Sequence, residues 1–229
     1  MPAGDTSSEF AILSLPWIKA AAPSPWEDVL ALAIRRTYRK NEFVIQSGQI
    51  LEHLYYLRSG ELKTLAVRSD GQQKTLWFLA AGSVFGETPL FNRKPCAYLF
   101  QAVTDCEVYL FSRETLNCLF TRNPNIALSV ITTLTRKVHI LSCQIEDSLF
   151  CKPVIRVAKL IYLLYQTKQK AGSDSLPITQ EDIAAVLGLH RVTVNQSIRA
   201  LKLDGILDIK NHHIVVKSVE KLQALAAGE

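Results

Sequence analysis

An α+β chain of three parts is predicted: an N-terminal antiparallel β-roll of the jelly-roll kind, one long central helix, and a C-terminal winged helix-turn-helix. Three observations predict it. Between about residues 37 and 112, short alternating apolar runs are punctuated by glycines at 48, 60, 71, 82 and 86. From Ile126 to about Leu149 the apolar residues recur at helical spacing. After Thr179, two helical patterns flank Gly188 and are followed by strand, polar turn and strand. The expected boundaries are 1–125, 126–150 and 151–229.

The β-roll rests on "EFVIQ", "HLYYLRSGELKTLAV", "QKTLWFLAAG", "YLFQAV" and "CEVYLFS". Such short runs are too closely spaced for helices and suit an antiparallel roll or barrel. Asp70-Gly71 in "SDGQQ" sits where a tight hairpin turn needs a positive φ. Ahead of the roll, a short helix is expected over Trp26 to Ile34, and after it another over Arg113 to Phe120.

Past Asn123-Pro124, the residues Ile131, Leu134, Val138, Leu141 and Ile145 are spaced 3, 4, 3, 4, an a/d seam over two heptads. A narrow apolar stripe of this kind meets either a second copy of itself or its own domain, and a dimer seam is the expectation taken. A short linker around Phe150 to Pro153 leads to the last domain. There Pro153 suits a first helical turn, Val154, Val157, Leu160, Ile161 and Leu164 form a core-facing stripe, and "AGSDSLP" reads as loop.

Thr179 is a good N-cap for a helix over Gln180 to Leu187. Gly188 supplies the turn, and a second helix from about Arg191 to Leu203 buries Val194, Ile198 and Leu201. The second helix of such a pair enters the major groove of DNA by its N-terminal residues. The candidate DNA-contacting residues are His190, Arg191, Val192, Thr193, Asn195, Gln196 and Arg199, with Lys202 further along the face. Arginine grips a guanine edge with two hydrogen bonds, glutamine an adenine edge, and valine covers a thymine methyl. The following "ILDIKNHHIVVKS" reads as a wing that brings Lys210, His212 or His213 near a phosphate.

Charge agrees with this placement. The net charge is +5, and residues 151–229 hold 11 Lys and Arg against 7 Asp and Glu, whereas residues 1–150 hold 15 against 14. A basic terminal domain suits a polyanion. Cysteines at 96, 106, 118, 143 and 151 form an odd set without a C-x-x-C pair, which speaks against a disulfide framework or a zinc site and for reduced thiols. The first residues lack a basic segment before a sustained apolar run, and no stretch has 18 uncharged apolar residues. Neither a secretory signal nor a membrane span is therefore expected, and the location expected is cytoplasmic. No constellation of nucleophile, base or metal ligands follows the roll, so no catalytic or metal residues are assigned and an enzyme is not expected.

Four segments in order, "HLYYLRSGELKTLAV", "AAGSVFGETPLF", the long helix and "ITQEDIAAVLGLHRVTVNQSIRALKLDGIL", resemble the CRP/FNR superfamily of bacterial transcription regulators over about residues 27 to 222. The resemblance implies an effector-sensing roll of the cyclic-nucleotide-binding type, a parallel homodimer along the central helix, and two heads on a palindromic double-stranded promoter site with half-sites one helical turn apart. It also implies RNA polymerase as a partner. His190-x-Val192-Thr193-Val194 and "ILDIKNHHIVV" are similar to the CprK-type halorespiration regulators, which sense chlorinated phenols.

The departures concern the effector. Cyclic-nucleotide binders of the family carry an Arg-Ser or Arg-Thr pair about ten residues after the Gly-Glu, because a part-buried phosphate needs a fixed cation. Here Gly86-Glu87 is followed by Cys96-Ala97 at that place, while Arg93 and Lys94 fall on a turn before Pro95. The expected effector is accordingly a small organic molecule rather than cyclic AMP, with Phe85, Gly86, Glu87, Tyr98, Thr133 and Lys137 as its binding residues and Trp77 and Leu90 beside them. Lys137 or Arg136 would favour an anionic or phenolate form. No cofactor is assigned, and the N-terminal cysteine cluster of an iron-sulfur regulator is missing. A haem held by His53, His139, Cys96 or Cys143, a redox response through Cys96, Cys106 or Cys143, and a cyclic-nucleotide-responsive member of the family stay open as alternatives. In the head, Val192 stands where the cyclic AMP receptor type has a glutamate. A half-site richer in A·T than TGTGA or TTGAT is expected, since valine offers a methyl contact and no acceptor for cytosine N4.

Overall fold

A computed structural model of the chain describes residues 17–18, 24–169, 175–176, 178–210 and 213–227. The chain divides within one helix into two compact units, Pro16–Val138 and a second that begins, in its C-terminal part, at His139.

In the first unit the alternating runs form strands β1 (Trp17–Ile18), β2 (Ile34–Tyr38), β3 (Phe43–Ile45), β4 (His53–Ser59), β5 (Glu61–Val67), β6 (Gln73–Ala80), β7 (Val84–Phe85), β8 (Leu99–Ala102) and β9 (Cys106–Ser112). They make two sheets, ordered β1-β6-β5-β8-β3 and β2-β9-β4-β7. The pairings are antiparallel except that of β1 with β6. Along β5, Leu62, Thr64 and Leu65 are buried, and the ladder with β6 slips after Thr64, which faces Trp77 while Leu65 faces Thr75, so that the extra residue, Leu76, belongs to β6. At the Asp70-Gly71 turn, the Asp70 carboxylate accepts from the Gln72 N–H at 3.0 Å, and the Arg68 N–H donates to the Gln72 carbonyl at 2.9 Å.

The short helix expected near Trp26 is a 3-10 helix, Glu27–Leu32. Helices α1 (Glu87–Asn92), α2 (Arg113–Arg122) and α3 (Pro124–Phe150) follow. Helix α3 starts where Asn123 accepts the Asn125 N–H at 3.2 Å, and Pro124 occupies the first turn, where its missing N–H does no harm. Its inner face joins a core of Trp26, Leu54, Tyr56, Phe111, Leu116 and neighbours through Ile126, Val130 and Leu134. Trp26 stacks on Tyr56 with ring centroids 5.9 Å apart, and its indole N–H donates to the Ser129 hydroxyl at 2.8 Å.

The second unit holds helices α4 (Pro153–Gln169), α5 (Gln180–Leu187), α6 (Arg191–Leu203) and α7 (Val219–Ala227) and a sheet ordered β10-β12-β11. Strands β11 (Leu207–Lys210) and β12 (His213–Val216) form the expected wing. The segment read as loop departs from expectation, because Ser175–Leu176 (β10) pairs with β12 and buries Leu176. Two residues are too few to show a period, so only the pairing partner reveals the strand. Thr179 caps α5 through a reciprocal capping box with Asp182. Thr179→Ala should therefore lower the chain's stability by about 1 kcal/mol, read as a shift in the urea midpoint of far-ultraviolet circular dichroism at unchanged slope.

Candidate DNA-reading face and effector site

Helix α6 is set by a left-handed residue and a buried face. Gly188 ends α5 at φ +64 and its N–H donates back to the Ala184 carbonyl. A side chain at that φ is strained, so glycine suits the turn that swings α6 out. The Arg156 guanidinium of α4 donates to the Leu187 carbonyl and ties the end of α5 to the domain. Val194, Ser197, Ile198 and Leu201 of α6 are buried, whereas His190, Arg191, Val192, Asn195, Gln196 and Arg199 are exposed and Thr193 is half-buried. Val192, a large apolar side chain, is 68% exposed at the N-terminal end of the face. Lys202 is engaged, since its ammonium pairs with Asp208 of the wing at 2.8 Å. That hydrogen bond holds the Asp208 carboxyl below the ordinary carboxylate range. Lys210 and His213 are exposed at the wing, while His212 lies outside the described residues.

The outer face of α3 carries Leu128, Ile131, Val138, Ile145 and Leu149, each more than half exposed. With the exposed Thr135 and Ser142 they are spaced 3, 4, 3, 4, 3, 4. Leu134 instead packs against the core of its own unit, and Leu141 is half-buried. The row therefore shares Ile131, Val138 and Ile145 with the expected seam but runs along a neighbouring stripe. By length and mean hydropathy alone, 1.2 over 18 residues, α3 could cross a membrane. Its middle, however, holds Arg136 and Lys137, which would be costly at a bilayer centre, and Lys137 is buried in an ion pair with the roll.

The effector residues are not all brought together. Gly86 opens α1 at φ +80, and a Cβ there would lie 2.9 Å from the Tyr55 ring. This close turn drives the Glu87 side chain inward, where its Oε1 accepts from Lys137 Nζ at 2.8 Å, both side chains being buried. Lys137 Nζ also lies 5.4 Å from the centre of the Trp77 ring. Thr64, which residue patterning did not single out, stands directly opposite Trp77 across the β5–β6 ladder and is fully buried. A buried threonine on an apolar strand face was the available signal. Phe85 belongs to an aromatic row of the roll core between Tyr55 and Phe100, at 5.2 and 5.3 Å. Leu90 packs in the Trp26 core. Tyr98 is 38% exposed. Thr133 donates to the Ser129 carbonyl and lines a separate crevice of about 570 Å³ beside Trp26, Ser129 and Arg136.

Residues 35–123 match the family described as Cyclic nucleotide-binding domain, and residues 155–225 match the Crp-like helix-turn-helix domain. The chain belongs to the CRP/FNR superfamily of transcription regulators. Similar proteins include the Cyclic AMP receptor protein of Thermus thermophilus, 25% identical over 93% of this chain and 97% of that protein. The cAMP-activated global transcriptional regulator CRP of Pasteurella multocida is 27% identical over 78% of this chain and 88% of its own. Among solved structures, CprK complexed with OCPA superposes with a TM-score of 0.73 at 23% identity, over 91% of this chain and 97% of that one. This likeness shows the fold. The curated relatives named for a role are regulators of transcription.

In this CRP/FNR member Cys96, where the resemblance to cyclic-nucleotide binders would set a cation, is buried and donates its thiol to the Tyr98 carbonyl at 3.3 Å. Burial pushes this thiol up, and the nearby Glu87 carboxylate pushes it further. It is therefore uncharged at neutral pH. Arg93 and Lys94 are exposed beyond α1. Burial likewise raises the Cys106 and Cys143 thiols, away from the reactive thiolate form. Cys143 and His139 lie one helical turn apart, with Sγ and Nε2 separated by 3.8 Å. Among the described residues no group of three His, Cys, Asp or Glu side chains is placed to hold a metal ion.

Proposed function

We propose that this regulator binds a palindromic promoter site as a homodimer, gated by a small organic effector held between the roll and α3, and that it acts in the cytoplasm with RNA polymerase. The observation that carries the reading is the exposed face of α6, where Arg191, Val192, Asn195, Gln196 and Arg199 project opposite a fully packed stripe. The apolar row of α3 fits a copy of itself, giving two α6 helices for successive major grooves. Gating follows from adjacency on one helix: Lys137 holds the roll through Glu87, and Val138 beside it lies in the outward row. An effector that binds one arrangement of this helix more tightly than the other biases both heads. Cyclic AMP is disfavoured, because its phosphate would face Cys96 and the Glu87 carboxylate, and the one cation beside them, Lys137, is already paired with Glu87.

Selection of bound oligonucleotides by the full chain tests the reading. The expected product is an inverted repeat with half-site centres about 34–36 Å apart and an A·T pair opposite Val192. Arg191→Ala should weaken binding to that site by roughly 5- to 150-fold, the loss of about 1–3 kcal/mol for a base-reading arginine. Affinity should fall steeply with added salt as phosphate counterions are released. Recovery of a single half-site, a strong G·C preference opposite Val192, or salt-independent binding would contradict it.

A further inference from the structure

Thr64, Trp77, Glu87 and Lys137 meet inside the roll, each more than nine-tenths buried. Three of them carry polar atoms without a hydrogen-bond partner among the described residues: Thr64 Oγ1, Trp77 Nε1 and Glu87 Oε2. Strand pairing and side-chain contacts bring them together. Thr64 and Trp77 are cross-strand partners, whose side chains share a face, and Lys137 Nζ reaches both the Trp77 ring and Glu87 Oε1. Together they offer one obligatory donor, one acceptor, and a hydroxyl able to act as either. A buried polar atom left unsatisfied is costly, and three in one place mark where a ligand admitted to the roll would find hydrogen-bond partners.

The charges are already matched. Glu87 and Lys137 neutralise one another at 2.8 Å, the Cys96 thiol nearby is protonated, and Arg93 and Lys94 are exposed. A ligand anion would enter against the Glu87 carboxylate, and a ligand cation against the Lys137 ammonium. Neither has a spare counter-charge, and burying an uncompensated charge is far more costly than burying a hydrogen-bonded neutral group.

We propose that the effector of this regulator is an uncharged small molecule bearing at least one hydrogen-bond acceptor and one donor, of the amide, lactam or hydroxy-heterocycle class. Its acceptor takes the Trp77 indole N–H, its donor serves Glu87 Oε2, and Thr64 completes the set. The proposal rests on the effector reading of this site and departs from the anionic or phenolate ligand that Lys137 by itself would favour.

The test uses the full chain and a fragment library built of matched carboxylate and carboxamide pairs, screened at pH 7 by ligand-observed magnetic resonance. Thr64→Val, which conserves shape, and Trp77→Phe identify the fragments bound at this site. Site-dependent binders should be the carboxamides, at least tenfold tighter than their matched acids. Glu87→Gln leaves the Lys137 charge uncompensated and should move the balance at least tenfold toward the acids. A wild-type preference for the acids overturns the proposal, as does a Glu87→Gln variant with an unmoved preference. If Glu87→Gln fails to fold, the wild-type comparison decides by itself. A library in which no fragment responds to Thr64→Val or Trp77→Phe overturns the effector reading of the site itself, and with it this proposal.

Discussion

Lys137→Met is expected to destabilise the chain by about 3–5 kcal/mol, because it strands a carboxylate in the interior rather than because it removes a favourable bond. Methionine retains the apolar stem that lies beneath the ammonium, so packing is largely kept. Glu87, buried with its second oxygen already unpartnered, loses its counter-charge. Removing both charges with Glu87→Leu and Lys137→Met should recover most of the loss, since an apolar pair of similar volume is often neutral or better than a buried ion pair. The chain's three tryptophans, at 17, 26 and 77, all lie in the Pro16–Val138 unit. Urea unfolding followed by tryptophan fluorescence therefore reports on this unit directly. A single variant that loses less than about 1 kcal/mol, or a double variant no better than the single, would remove the ion pair from its assigned place.

Val138→Glu should leave the protomer folded and abolish the proposed dimer. Val138 is 63% exposed at the centre of the outer row, so its replacement removes nothing from the core of its own unit. Two copies facing along the row would instead bring two carboxylates together in an apolar seam, and like charges there are unfavourable. Loss of the dimer uncouples the heads, and binding to the inverted repeat should fall by at least about 100-fold as the second head loses its raised effective concentration. Light scattering coupled to gel filtration reads the mass, and titration of the selected duplex reads the affinity. A dimer of unchanged mass in the variant would place the subunit contact elsewhere.

The α3 row shows where periodicity stops being informative. The helix has two apolar stripes, one through Leu134 and Leu141 and another through Leu128, Thr135, Ser142 and Leu149, and both include Ile131, Val138 and Ile145. Larger side chains favour the first stripe in a reading by hydrophobicity. The fold instead turns Leu134 toward Trp26 and leaves Thr135 and Ser142 exposed in the outer row. A spacing of 3 and 4 names a helix face without saying which neighbour that face will meet. The effector residues show the same limit. Gly86-Glu87 and Lys137 were legible as candidates, whereas the exposure of Tyr98 and the place of Thr133 beside the Trp26 crevice were not, and Thr64 joined Trp77 only when β5 paired with β6.

What the residues dictated by themselves is local. The alternation of the strands, the Thr179 cap, the Gly188 turn and the two helices of the head all depend on interactions within a few residues, and they suffice to place Arg191 and Gln196 on an exposed face. What tertiary structure decided is the meeting of groups distant in the chain. Glu87 and Lys137 are 50 positions apart, and nothing near either one indicates that its charge is cancelled. Burial together is what turns a lysine that would attract an anion into half of a neutral pair, and it leaves the hydrogen-bonding of Thr64, Trp77 and Glu87 to select the ligand.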